Sequence, residues 1–517
     1  MMKLNNKIRK NIKYIYIVVI LGFYACSTDY LDGKAYGVST TENFYKTPED
    51  AQQAITSAYA PLHEMYLGNN TNFWGAISTD LLLGDVGTDD FIKGGSRYSD
   101  NPPLLQKELY QIQTSNNMFN EIWTINYKGI NYANLVIEKV PNIPFDNVNE
   151  KKQILAEAHF LRAYYYFDLV NSFGGVPLIK EGTSYEDSNM PRSTTEETYA
   201  QIEADLKIAI ADLPYRFDKG PSYYGHADKG AALGYMMRVS LYQNKMDQVK
   251  KYGKILIEDD KRYSLTSDFS SIFEEGGEWN QGSIFELICT TNTSYLGTGI
   301  VKDLTPKSEK GFGLIQAKKG LRDAYVVNVD PITKDTIRDP RYDTTFYQPL
   351  SITQDGEISP RDVYGTHWFN KKYSWSPHTN NPFPTLGNTI SSNNIRLLRL
   401  ADVYLMYAEA IYQSDPTTAI EYVNKVRKRA RESAGVGNLF PQDLPLTLTG
   451  DVLRDAIYKE RRIELAGEGY RYHDLIRTGR AATVLGPLGF QIGKHEVMPI
   501  PYSQMTLSKG VLQQNNY

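Results

Sequence analysis

The chain has 517 residues, with 56 Lys and Arg against 60 Asp and Glu, a formal net charge of −4 and a mean hydropathy of −0.44. That length admits roughly two to four ordinary domains or one large helical array, either able to bury a sizeable core. The lack of clustered basic residues excludes a nucleic-acid-binding surface, and the 2 cysteines exclude a disulfide framework.

Lys3, Lys7, Arg9, Lys10 and Lys13 open the chain, and the apolar run 14–25 follows. Its 12 residues fall short of the roughly 20 that cross a bilayer, yet suit a signal-peptide core, so residues 1–25 are expected to be removed on export. Cys26 behind the small Ala25 is then a bacterial lipoprotein acceptor, whose thiol is acylated after cleavage. An ordinary secretory leader with an incidental cysteine is the alternative. Acyl chains contribute about 0.8 kcal/mol per buried methylene, so such a protein is anchored, not spanning. Without the five leader cations, 51 Lys and Arg face 60 Asp and Glu, a charge of −9. Cys289, in the apolar run 284–289 and with no partner left, is expected to be a buried free thiol.

Ser39, Thr40 and Thr41 ahead of Glu42 carry a helix-start pattern, and Thr47-Pro48-Glu49-Asp50 carries another. Segments 131–140 and 153–172 have apolar residues at helical spacing; in the second, Ile154, Ala158, Leu161, Tyr165 and Leu169 share one face. Gly174-Gly175 and Pro177 stop it. Segment 194–213 is a further amphipathic helix, capped by Ser193 or Thr194 with Glu196 and Glu197 in its first turn, and ended by Pro214.

An internal repeat follows at an offset of 170 residues: Ala231, Leu241-Tyr242-Gln243, Tyr252 and Leu256 correspond to Ala401, Ile411-Tyr412-Gln413, Tyr422 and Val426. Small residues and aromatics in helical hairpins of roughly 34 residues predict tetratricopeptide-like units, which bury their faces by stacking on neighbours. Between the copies, about 263–394, Gly, Pro, Asn, Asp and Thr interrupt short apolar runs, predicting a long insertion of loops and small strands where recognition surfaces tend to sit. Segment 451–478 returns to helix, and an irregular tail runs from Gly479. The expectation is a mainly α scaffold forming one unit over 26–517, with an N-terminal helical part at about 39–260, the insertion, and a C-terminal repeat and tail at about 395–517.

Several segments resemble the SusD/RagB family, nutrient-binding outer-membrane lipoproteins of Bacteroidetes. They are Asp29-Tyr30-Leu31-Asp32; Phe44-Tyr45-Lys46-Thr47-Pro48-Glu49-Asp50-Ala51; the run 156–169 with His159, Arg162 and Tyr164-Tyr165-Tyr166-Phe167; Phe173-Gly174-Gly175-Val176-Pro177-Leu178; Arg399-Leu400-Ala401-Asp402; Glu460-Arg461-Arg462 running to Tyr472-His473-Asp474-Leu475; Met498-Pro499-Ile500-Pro501; and Asn515-Asn516-Tyr517. The resemblance implies a SusD-like superhelix overlaid by an irregular ligand-binding region. It implies an oligosaccharide ligand, bound and handed on rather than cleaved. It also implies a SusC-like TonB-dependent transporter as partner and residence at the outer membrane, facing the outside of the cell.

The seven His form no His-x-x-x-His pair, and no Ser sits in a Gly-x-Ser-x-Gly elbow. No cofactor or metal is expected; Asp85-x-x-x-Asp89-Asp90 does not follow a calcium loop. Carboxylate neighbours at Asp89-Asp90, Glu274-Glu275 and the ladder Glu460, Glu464, Glu468 leave a glycosidase as a minor alternative. Glu460, Arg461, Arg462, Glu464, Arg471, Asp474 and Arg477 stand three or four apart, as a paired scaffold network would.

Segment 74–98 supplies Trp74, Asp80, Asp89, Arg97 and Tyr98 among glycines. An aromatic face suits the apolar side of a sugar ring, and carboxylates and Arg suit its hydroxyls; a solvated loop with one buried Trp is the plain alternative. In the insertion, Trp279, Tyr295, Tyr325, Trp368, Tyr373 and Trp375 are aromatic candidates, with Trp368, Tyr373 and Trp375 preferred. The expected function is a cell-surface glycan-binding lipoprotein, not an enzyme; a protein-interaction scaffold without a sugar site is the rival.

Overall fold

The computed structural model describes residues 44–67, 83–184, 186–290, 297–306, 311–329, 331–346, 364–373, 391–435 and 437–517. The leader, Cys26, the helix-start pattern at 39–42, Trp74, Asp80, Tyr295 and Trp375 lie outside them.

The main helices, numbered in chain order, begin with α1 (Pro48–Leu67). Thr47 and Asp50 cap it reciprocally, the Thr47 N–H donating to Asp50 Oδ2 at 2.9 Å and the Asp50 N–H to Thr47 Oγ1 at 3.2 Å. α2 (Asn117–Lys139) starts well before the predicted 131, because Asn116 caps it and Phe119, Ile122, Trp123 and Ile130 continue the apolar stripe upstream. α3 (Val148–Phe173) runs from its Asn147 cap to Gly174, whose φ of 75° lets the chain leave the helix. α4 (Thr195–Asp212) is capped by Thr194, one of the two expected caps, which forms a capping box with Glu197. These four pack in sequence, each on the next.

The repeat copies are α5 (Lys229–Tyr242) with α6 (Met246–Gly253), and α7 (Leu400–Ile411) with α8 (Pro416–Glu432). The paired positions Ala231 and Ala401, Leu241 and Ile411, and Tyr252 and Tyr422 are all buried. α6 packs on α7, so copies 170 residues apart in sequence stack directly, as repeat units must to cover their faces.

The strands are short: β1 (Phe91–Lys93), β2 (Ser283–Leu287), β3 (Ile315–Ala317), β4 (Val326–Val329), β5 (Thr336–Arg338) and β6 (Ile395–Arg399). β2 pairs antiparallel with β6, Ser283 opposite Arg399 and Leu287 opposite Ile395, which joins the two ends of the insertion at its base. β1 pairs antiparallel with β3, Phe91 opposite Ala317, and so docks the early loop onto the insertion.

The predicted helix over 451–478 is two helices, α9 (Gly450–Glu464) and α10 (Arg471–Arg477). Gly467 and Gly469, at φ 76° and 86°, break it. The turn is gripped from two sides: Asn370 Nδ2 donates to Gly467 O at 2.9 Å, and the Gly469 N–H donates to the buried Asp85 Oδ2 at 2.8 Å.

The charged ladder is a scaffold network, as its spacing predicted. Glu464, on α9, meets Arg341 of the insertion at 2.8 Å, Arg399 of β6 at 2.8 Å and Arg429 of α8 at 2.5 Å, all buried. Cys289 is buried and unpaired, and burial pushes its thiol upward. No helix among the described residues is long and apolar enough to cross a membrane.

Candidate ligand-binding site

Two helices of the stack turn an unusual stripe toward one another. On α3, Tyr164, Phe167, Asp168 and Asn171 recur at helical spacing, and on α5 Tyr235, Arg238 and Tyr242 do the same. Aromatic rings with polar edges leave a gap where aliphatic side chains would close it. Its volume is about 70 Å³, space on the order of five to seven waters. Tyr66 at the end of α1, Tyr373 of the insertion, residues 395–397 of β6, and Glu468, Tyr470 and His473 complete the walls.

Inside, Tyr164 and Tyr235 lie 5.4 Å apart, Phe167 and Tyr242 5.3 Å. Arg238 donates through Nη2 to Tyr470 Oη at 2.6 Å, to Asp402 Oδ2 at 2.8 Å and to Leu397 O at 3.1 Å. Its Nε has no hydrogen-bond partner among the described residues; the Arg396 Nε has none either, although it lies 3.8 Å from Glu286 Oε1. Burial would lower the Arg238 guanidinium, but Tyr470 and Asp402 outweigh it and hold it charged. Burial pushes His473 down to about 4, so at neutral pH its imidazole is uncharged and offers one donor and one acceptor. Flat apolar faces beside hydroxyl, amide, imidazole and guanidinium groups are chemically suited to a polyhydroxylated molecule.

Two carboxylates, Asp168 and Glu468, belong to this wall. Glu468 is locked by Arg399, at 2.8 and 2.7 Å, and by Lys372 at 2.6 Å. Both Glu468 oxygens are thus taken up by cations of the scaffold, whereas glycoside cleavage needs a pair of carboxyl groups free to face the scissile bond.

The sequence candidates distribute as follows. Tyr373 lines the cavity; its ring is buried edge-on to Phe273 at 5.4 Å, and its hydroxyl accepts from the Arg396 N–H at 3.2 Å. Asp89 is committed to Arg471, at 2.9 and 2.7 Å, and to Arg462 at 3.0 Å. Arg97 and Tyr98 sit on the surface beyond β1, Tyr98 being 51% exposed. Tyr98 meets Tyr364 of the insertion edge to face at 5.5 Å, and the Lys93 ammonium lies 4.8 Å above the Tyr364 ring. Lys93 also donates to the carbonyls of Arg97 and Tyr98, both at 3.1 Å, which fixes the loop. Trp368 is half-buried between Tyr342 and the Arg322 guanidinium, 4.2 Å from its ring. The early loop and the insertion thus come together, with Arg97 and Tyr98 at their joint. Trp74, Asp80 and Trp375 are beyond the described residues.

Sequence reasoning missed the stripes on α3 and α5. The signal was there in Asp168 and Asn171, polar residues one turn apart on a helix otherwise read as core. His159 and Arg162 of the same motif are structural: both meet Asp205 of α4, Arg162 through two bonds of 2.8 and 2.7 Å.

A stack of helical hairpins carrying an aromatic cavity and an irregular cap defines a helical-repeat binding protein. Residues 29–241 match the family described as "Starch-binding associating with outer membrane", SusD-like, and residues 270–491 match the "SusD family". The chain belongs to the SusD/RagB family. It is 27% identical to SusD-like protein P2 of Formosa agariphila, over 98% of this chain and 99% of that one. Its fold is similar to that of a laminarin-binding SusD-like protein, with TM-score 0.75, 26% identity, and coverage of 91% of this chain and 100% of that one. It is also similar to surface glycan-binding protein A from Bacteroides thetaiotaomicron in complex with laminarihexaose, at TM-score 0.74 and 26% identity, over 91% of this chain and 100% of that one.

Proposed function

We propose that this protein is a cell-surface glycan-binding lipoprotein that captures an oligosaccharide and passes it to a SusC-like TonB-dependent transporter without cleaving it. The observation that carries the binding half is the cavity between α3 and α5, whose ring faces and uncharged imidazole suit a sugar. Relatives that bind laminarin and laminarihexaose support the ligand class, and the ion-paired Glu468 supports binding over hydrolysis.

In this reading the cavity takes one sugar unit, while Arg97 and Tyr98 meet the chain at the joint of early loop and insertion. Trp74, Asp80, Trp368 and Trp375 are proposed as further contacts, and Asp89 as a residue that holds the loop in place. Acylated Cys26 attaches the protein to the outer membrane, facing outward.

Affinity electrophoresis against a panel of polysaccharides tests the ligand class. Asn171→Leu at the cavity and Tyr98→Ala at the joint are each expected to weaken retention about 5- to 30-fold, or 1–2 kcal/mol. Wild-type retention from both variants on every bound polysaccharide overturns the site. Metabolic labelling with a fatty acid, lost in Cys26→Ala, tests the anchor, and co-purification with a TonB-dependent barrel tests the partner.

A further inference from the structure

A second aromatic platform lies apart from the cavity, and none of its residues lines that space. Trp279, just ahead of β2, stacks on Tyr224 from the turn before α5, with centroids 5.0 Å apart and planes within 18°. Both rings are partly exposed. The backbone there is unusual twice over. Trp279 has φ 54°, a left-handed conformation that bulky side chains avoid. The buried Glu286 holds it, accepting the Trp279 N–H at 3.0 Å. Tyr224 is followed by Gly225 at φ 89°, the left-handed conformation that favours glycine.

Strained conformations persist where surrounding structure enforces them, and they cluster at binding sites. Here the enforced result is a Trp carried at the surface instead of packed in the core. The unused polar groups agree. Neither the Trp279 indole N–H nor the Tyr224 hydroxyl has a hydrogen-bond partner among the described residues. Beside them Arg216, only 2% exposed, sits with its guanidinium 5.7 Å from the Trp279 ring centre, and its Nη1 likewise lacks a partner among the described residues.

The geometry points to a second carbohydrate site at Trp279 and Tyr224, which takes the apolar face of a neutral pyranose within a polysaccharide chain. Stacking supplies the contact, and the indole N–H and phenol answer the ring hydroxyls, while the buried Arg216 supports the Trp279 ring from below. Glu274 and Glu275, a few residues ahead of Trp279, set a negative field that disfavours uronic or sulfated sugars. With the cavity occupied too, one long glycan engages two sites of the same molecule, and avidity exceeds either affinity. This last consequence rests on the cavity reading; the platform itself does not.

Full-length protein is titrated with laminarihexaose and run in affinity gels containing neutral polysaccharides, laminarin among them, and anionic ones. Trp279→Asn, chosen because Asn tolerates positive φ, and Tyr224→Ala are each expected to lower retention on neutral polysaccharide three- to tenfold without moving the melting temperature. The Trp279 indole N–H resonance is expected to shift with the oligosaccharide, even in the cavity variant Asn171→Leu. Wild-type retention of both variants overturns the platform while leaving the cavity intact. An unmoved indole resonance, or retention on anionic polysaccharides only, overturns it as well. A wild-type protein that retains on no polysaccharide overturns both readings together.

Discussion

Glu464→Gln removes one negative charge from a place where three guanidinium groups converge. Arg341 and Arg399 keep other counter-ions, since Arg341 also meets Asp339 and Glu460 at 2.7 Å each, and Arg399 meets Glu468 at 2.7 Å. Arg429 has no other ion-pair partner among the described residues, and its Nε is already unsatisfied there. The variant therefore leaves one buried guanidinium uncompensated, which costs about 3–5 kcal/mol. Urea unfolding is the assay, because the midpoint reads the loss and an unchanged slope certifies that the folded state survives. Glu464→Gln with Arg429→Met should recover part of the loss, as coupled neighbours do. Burial would raise the Glu464 carboxyl, but Arg429, Arg399 and Arg341 outweigh it and hold it well below the usual range. A depressed folded pKa contributes stability above the unfolded value of about 4.3, and that contribution fades as pH falls through the folded value. The gap between wild type and variant should thus be full at pH 7 and narrow in strong acid. A loss under about 1 kcal/mol at pH 7 would show that the three arginines are satisfied without this carboxylate.

Asp85 is the opposite case: burial raises its carboxyl to about 8, against the Gly469 N–H bond that lowers it. Its stabilising contribution is full below the unfolded value of about 3.9 and is lost as pH rises through the folded value, so Asp85→Asn should melt above wild type at pH 8 and level with it near pH 4. Asp474 is held down to about 2, burial being outweighed by Arg461 and Arg477; Asp474→Asn should unfold at lower urea than wild type at pH 7, with the difference closing toward pH 2. Gly84→Ala would set a Cβ 1.8 Å from the Gly469 carbonyl oxygen, so it should cost at least about 1–3 kcal/mol by prising the early loop off the α9–α10 turn; an unchanged melting curve would refute that contact.

Helix signals were readable in the sequence where they are local: Thr47-Pro48-Glu49-Asp50, and Thr194 ahead of Glu196 and Glu197, need only neighbours within one turn, whereas α3 begins at Val148 behind its Asn147 cap, ahead of the expected 153. The repeat was readable because stacking imposes the same small and aromatic residues on both copies. The 170-residue offset accordingly corresponds to two helical hairpins in direct contact. The ion network was half legible: the spacing of Glu460, Glu464 and Arg461 marked a paired face, yet Arg341 and Arg399, more than 60 residues upstream, could be assigned only by the fold.

Tertiary structure alone decided the site. Pairing of residues 91–93 with 315–317 brings Tyr98 to Tyr364, and no periodicity encodes a contact over such a separation. The same packing turned the α3 and α5 stripes toward a shared gap and locked Asp89 between two arginines. Residue type states what a side chain is able to do. Which side chains meet, and whether a cavity remains between them, depends on how helices distant in sequence fill space against one another.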